Sequence, residues 1–146
     1  MLTILQAMAR EEGWGVPGAR PTLNLNPLNL MYGPEAIEFG AIDNQDGMSV
    51  FPDAATGMTA ARRWLSVPAK WACDPILAVC TGGIIRYAHE PVPGRKLIGG
   101  YLGATLAEVI YRFAPPSENN SAEYLITVCQ LTGMLPSTIL SESNLG

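Results

Sequence analysis

Glu12 is the residue whose type and position most directly suggest chemistry. If residues 2–12 form a helix, with successive side chains ~100° apart, then Met1, Ile4, Leu5 and Met8 make one apolar arc. Arg10 lies opposite it, and Glu12 falls near its centre. Glu11 sits one step round, toward the flank. Gly13 follows at once, so the chain can turn there and leave the Glu12 carboxylate at the junction between a core and a loop. Partial burial disfavours the ionised form and raises the pKa. A general acid working near neutral pH, as in glycoside cleavage, needs that shift. The competing reading puts residue 12 past the last ordered turn, with its side chain simply in water. Against it stands the helix dipole, which disfavours a carboxylate at a helix C-terminus.

Two further carboxylates, Asp43 and Asp46, lie in the run Asp43-Asn44-Gln45-Asp46-Gly47. They are the candidates for a second catalytic carboxylate, although aspartate before glycine is also ordinary turn chemistry. Other chemistries find little support. Cys73, Cys80, Cys129 and the single histidine, His89, form no metal-ligand pattern. His89-Glu90-Pro91 lacks the second histidine of a zinc-protease motif, and Pro91 would break the helix that motif requires. There is no Gly-x-Ser-x-Gly elbow and no phosphate-binding loop. No metal and no cofactor are expected. A Cys73–Cys80 bridge is one option, but an odd cysteine count without an export signal favours free thiols.

These groups need elements to hold them. The chain has 146 residues, enough for one domain with a core, and is 48% hydrophobic and 15% charged. A formal net charge of −4 argues against attachment to nucleic acid by bulk charge. No stretch approaches the ~20 apolar residues of a membrane-spanning helix. The N-terminus lacks the basic start of a secretory signal peptide. The expectation is therefore synthesis in the cytoplasm, with any action outside depending on another route of release.

Along the chain, the helix over 2–12 is expected to end in the glycines and proline of 13–18, with a shaped loop over 19–35. Strands are expected at 36–42 and 48–51, joined by the Asp43–Gly47 turn. Asp53 can cap a helix running to Leu65, with Met58, Ala61, Trp64 and Leu65 inward. Residues 66–100 are broken by prolines and glycine pairs; apolar runs at 76–79 and 84–87 suggest a short helix and a strand. Thr105-x-x-Glu108 is a capping box opening a helix with Leu106, Val109, Ile110 and Phe113 on one face, stopped by Pro115-Pro116. Ser121 can cap another, with Tyr124, Leu125, Val128 and Leu131 inward and Gly133 closing it. Pro136 is expected to start a last helical turn. The fold class is α+β: a single, mainly helical domain with one small β-hairpin after the first helix.

Several motifs, in order, resemble a known family. Glu12-Gly13-Trp14-Gly15-Val16-Pro17-Gly18, then Asn26-Pro27-Leu28-Asn29-Leu30, is similar to phage and bacterial peptidoglycan-cleaving domains of the lysozyme superfamily. There a glutamate-glycine pair ends the first helix and an Asn-Pro-Gly-Asn loop follows. Val50-Phe51-Pro52-Asp53 leading to Gly57, Tyr101-x-Gly103-x-Thr105-Leu106, and the segment from Phe113 through Ser121 to Tyr124 continue the likeness. It spans most of the chain outside 66–100, which look like an insertion. One loop departs from the pattern. Where such domains read Arg-Asn-Asn-Asn-Pro-Gly-Asn, this chain has Leu23-Asn24-Leu25-Asn26-Pro27-Leu28-Asn29. If residue 28 needs φ > 0, leucine there costs about 1 kcal/mol or more, and the missing arginine removes a forked donor.

The resemblance implies a lysozyme-like fold and cleavage of the β-1,4 bond between N-acetylmuramic acid and N-acetylglucosamine, with Glu12 protonating the leaving oxygen. Asp43 or Asp46 would complete a hydrolase, whose carboxyl separation would tell retention from inversion; without either near Glu12, a lytic transglycosylase fits better. Asn26 and Asn29 would hold sugar acetamido or hydroxyl groups, or else brace their own loop. Asn119 and Tyr124 would line the far wall of the cleft, although Tyr124 also begins an inward stripe. Trp14 would lie beside the acid; Trp64 and Trp71 read as core. The partner would be peptidoglycan, reached after release from the cell or from a virion. The alternative is a virion or wall-binding protein that keeps the shape without turnover, which the leucine substitutions favour.

Overall fold

The structure is a computed structural model that describes residues 1–68 and 100–146. Trp71, Cys73, Cys80, His89 and the elements expected at 76–79 and 84–87 lie outside the described residues. Among the described residues the architecture is mixed α and β, with helices dominating and one two-stranded antiparallel sheet.

Helix α1 (Ile4–Glu12) starts at a capping box: Thr3 Oγ1 accepts the Gln6 N–H at 3.2 Å, and Gln6 Oε1 accepts the Thr3 N–H at 3.0 Å. Ile4, Leu5 and Met8 are buried as expected, whereas Met1 is exposed, because the helix begins after it. At the other end Gly13 adopts φ 100°, its N–H and that of Trp14 turning back to Arg10 and Ala9 carbonyls at 3.1 and 3.0 Å. This is a Schellman closure. Glu12 therefore lies inside the ordered turn, not beyond it.

The segment expected to be a loop and then a strand holds two short helices, α2 (Arg20–Leu23) and α3 (Pro34–Glu38). The strand expected over 36–42 is not there. Pro34 supplies the preset φ of a first helical turn and Gly40, at φ 107°, ends it. The strands are β1 (Asp43–Gln45) and β2 (Met48–Val50), paired Asp43 to Val50 and Gln45 to Met48. Most of the expected turn is thus strand, and the true loop shrinks to Asp46-Gly47, at φ 51° and 89°. Two left-handed residues form the loop whose twist matches paired strands.

The asparagine loop is tied to this hairpin by Asn26, which is fully buried. Its Oδ1 accepts the Leu30 N–H at 2.9 Å, and its Nδ2 donates to the Leu30 and Ser49 carbonyls at 3.0 and 2.9 Å. The left-handed positions are Leu25 (φ 53°) and Asn29 (φ 52°). The strain expected at Leu28 is absent; Leu28 is a fully buried core residue.

Helix α4 (Ala54–Ser66) is capped by Asp53, whose Oδ1 accepts the Thr56 N–H at 2.7 Å. Ala61 and Leu65 are buried on its inner face; Met58 and Trp64 are partly buried against the same core. Gly57 packs directly on the asparagine loop: a Cβ there would lie 1.8 Å from the Leu25 carbonyl oxygen. Gly57→Ala is expected to cost about 3 kcal/mol or more, because backbone cannot yield as a side chain does. A urea midpoint close to wild type would show that the loop and helix separate cheaply. Beyond α4, the Gly100 N–H donates to Pro68 O at 3.0 Å and the Tyr101 N–H to Val67 O at 2.7 Å, so the two flanks of residues 69–99 are bonded together.

Helix α5 (Leu106–Phe113) opens at the expected Thr105–Glu108 capping box and buries Leu106, Val109 and Ile110, with Phe113 partly buried. Helix α6 (Ser121–Thr132) is capped one residue earlier than expected: Asn120 Oδ1 accepts the Glu123 N–H at 3.2 Å. Ser121, inside the first turn, is buried and donates to the Ala114 carbonyl. Pro136 does not start a helical turn; it sits in a β-turn closed by the Thr138 N–H on Leu135 O at 3.0 Å. The final helix, α7 (Glu142–Leu145), follows instead. Helix α6 packs against both α1 and α5, around a core that includes Ile4, Met8, Ile110, Leu125 and Val128. Among the described residues, no helix is long and apolar enough to cross a membrane.

Candidate active site

The packing of α1 on α6 brings the C-terminal turn of one helix against the N-terminal turns of the other. Between them lies a cavity of about 350 Å³, lined by Glu11, Glu12, Asn119, Asn120, Glu123, Tyr124 and Thr127. Glu12 is half-buried at its wall. Tyr124, only 7% exposed, reaches across from α6, donates its hydroxyl proton to the Met8 carbonyl at 3.2 Å and lines the same cavity as the Glu12 carboxyl.

Burial is the main force on Glu12 and raises its pKa from 4.5 to about 7; the Tyr124 hydrogen bond pulls it down and the Glu11 charge pushes it up again. Burial also raises the pKa of Glu11, with Glu123 adding to the shift and Arg10 opposing it. Tyr124 is pushed well above the ordinary phenol range by burial and by the charges of Glu12 and Glu11, so it keeps its proton.

The raised Glu12 value makes a stability prediction. Protonated Glu12 is favoured by the folded chain, so its contribution is fully present below pH 4.5 and is lost as pH rises to about 7. With allowance for its partial exposure, the loss is about 1–3 kcal/mol. Urea midpoints for wild type and Glu12→Gln should converge at the acidic end of that window and separate toward neutrality, with wild type the less stable. Parallel curves would show that Glu12 titrates as it does in water.

Of the residues singled out in the sequence, Glu12, Asn119 and Tyr124 meet at this cavity. Asp43 and Asp46 do not line it. Both are exposed on the hairpin, where Asp43 Oδ1 accepts the Asn44 N–H at 2.8 Å and Asp46 faces Arg20 at 3.6 Å. Asn26 spends its side chain bracing the loop. Asn29 and Trp14 are partly buried and are also absent from the lining, Trp14 packing against the core. Sequence reasoning missed Glu11, Asn120, Glu123 and Thr127. A usable signal existed for α6: Asn120, Glu123, Tyr124 and Thr127 follow at i, i+3, i+4 and i+7, one continuous polar face.

Chemically the cavity holds a carboxyl whose pKa is raised to about 7, two further carboxyl side chains, and amide and hydroxyl groups suited to polyhydroxylated ligands. Asn120 is committed within the protein, its Nδ2 donating to Glu123 Oε2 at 3.0 Å. Asn119, exposed and held by one long contact of 3.4 Å to the Pro115 carbonyl, is freer to meet a ligand. Among the described residues, no group of three or more His, Cys, Asp or Glu side chains could hold a metal ion, and Cys129 is a partly buried free thiol. Comparison with protein-family models, curated protein sequences and solved structures finds no match.

Proposed function

We propose that this chain is a glycosidase that cleaves peptidoglycan glycan strands on a lysozyme-like domain, with Glu12 as general acid. The observation that carries the reading is a half-buried carboxyl at a polar cavity whose pKa is raised to about 7. In this scheme Glu12 gives its proton to the bridging oxygen as the bond to the muramic acid C1 breaks, leaving an oxocarbenium-like sugar and an ionised Glu12. Glu123, held by the Asn120 amide on the same cavity, is better placed than the hairpin aspartates to stabilise that cation or to orient a water. Asn119 and Thr127 offer an amide and a hydroxyl to sugar substituents. Such an enzyme would act at the cell wall after release or from a particle.

The test is purified peptidoglycan incubated with wild type and with Glu12→Gln, the soluble products being weighed by mass spectrometry. Release of muropeptides by wild type alone supports the reading. Reducing ends then mean hydrolysis, and anhydro-sugars mean transglycosylation. Equal release by both proteins removes Glu12 from the reaction.

One observation favours a second reading, a wall-binding protein without turnover. A separate cavity of about 330 Å³ is lined by Phe39, Trp64 and Tyr101 together with Glu35 and Arg112. Arg63 covers a face of Phe39 and Arg112 a face of Tyr101, so the half-buried Trp64 is the ring there able to stack on a sugar. Sedimentation of wild type with insoluble peptidoglycan, with no product released, would support that reading over the enzymatic one.

A further inference from the structure

Met8 and Glu12 are four residues apart on α1, so the Met8 carbonyl and the Glu12 carboxyl lie on one side of that helix; the Tyr124 hydroxyl reaches the Met8 carbonyl from α6 at 3.2 Å, and Tyr124 and Glu12 line one cavity. A phenol has one proton to donate and lone pairs that accept. With its proton on the Met8 carbonyl, Tyr124 turns lone pairs toward Glu12, and a hydrogen bond between them then requires Glu12 to be protonated. An ionised Glu12 would instead face oxygen with oxygen in a partly desolvated cavity, which is costly. Rotation of the phenolic O–H removes that conflict and forms a charge-assisted bond, stronger than the one it leaves.

We propose that Tyr124 is a positioning residue for Glu12 whose hydroxyl proton alternates between two acceptors: the Met8 carbonyl while Glu12 is protonated, and the Glu12 carboxylate after its proton has been given away. The consequence for catalysis rests on the reading of Glu12 as proton donor. As the proton passes from Glu12 to the leaving oxygen, the Tyr124 O–H swings onto the charge that develops, with no need to reorganise solvent. No proton is lost from Tyr124 at any stage. The other titratable groups at the cavity are Glu11 on α1 and Glu123 on α6, with Arg10 acting on Glu11. Glu142 of α7, which also packs on α1, is exposed and does not line it.

The test is a pH titration of ligand-free protein by carbon NMR, following the Glu12 side-chain carboxyl and the Met8 backbone carbonyl together. In wild type the Met8 carbonyl should shift with the same midpoint as Glu12. In Tyr124→Phe that Met8 step should vanish and the Glu12 midpoint should rise by about one unit, the donor to the ionised form having been removed. In Glu12→Gln the Met8 signal should not respond to pH in that range. A Met8 carbonyl that stays flat through the Glu12 midpoint in wild type overturns the proposal, and it does so even if Tyr124→Phe fails to fold. A Glu12 midpoint that stays or falls in folded Tyr124→Phe overturns it as well. Because no substrate is present, a protein that titrates as described but releases no muropeptide refutes the glycosidase reading and leaves the hydroxyl switch standing.

Discussion

Glu12→Gln is expected to reduce glycan-strand cleavage by about 10²–10⁴-fold, the usual worth of a positioned general acid, while the protein stays folded. Glutamine has the size of glutamic acid and matches its neutral form, which the half-buried site prefers, so the substitution removes a transferable proton and little else. The wild-type rate should fall on the alkaline side with a midpoint near the Glu12 value of about 7, because only the protonated form can donate. The residual activity of Glu12→Gln should lack that limb. Asp43→Asn and Asp46→Asn, on the exposed hairpin away from the cavity lining, should both stay near the wild-type rate. Kinetics on soluble glycan fragments would decide. If Asp46→Asn were as damaging as Glu12→Gln, the cavity between α1 and α6 would not be where the bond is broken.

The parts of this molecule that were legible in the sequence are those whose signal is local. The Thr105–Glu108 box, the Asp53 cap and the Gly13 and Gly133 terminators each need only neighbours a turn away, and each appears where the pattern placed it. Glu12 was legible because its angle on the helix is a local property too. The failures came where local pattern and tertiary context disagree. Residues 36–42 are mostly apolar and lead into a turn-rich run, which suggests a strand, but Pro34 and Gly40 make the start of that stretch a helix, and the polar Asp43-Asn44-Gln45 pairs because Asp46-Gly47 closes a tight hairpin. The second wall of the cavity was missed for a related reason. Glu123 and Thr127 matter only because α6 crosses the end of α1, and no spacing within either helix reveals that crossing. Asn26 shows the same limit: an asparagine beside a proline reads equally as ligand contact or as brace, and its partner Ser49 lies 23 residues away.

That brace predicts the largest stability effect. Asn26→Ala deletes three hydrogen bonds at once and strands the Leu30 N–H and the Ser49 carbonyl, while the Leu30 carbonyl keeps the Ser49 N–H at 2.9 Å. Each buried group left without a partner costs about 1–3 kcal/mol, and the two share one small cavity, so a combined loss of about 2–5 kcal/mol is expected. Small domains are stable by only about 5–15 kcal/mol, so this single change would use up much of the margin. Asn26→Asp is the sharper probe. It keeps an acceptor for the Leu30 N–H but replaces the donating amide with a second oxygen facing two carbonyls, so it should be no more stable than alanine at neutral pH and should recover as acid restores a proton. Urea denaturation of the three proteins across pH would measure this. An Asn26→Ala protein that keeps wild-type stability but loses affinity for glycan fragments would reverse the assignment, moving Asn26 from the frame of the domain to its binding surface.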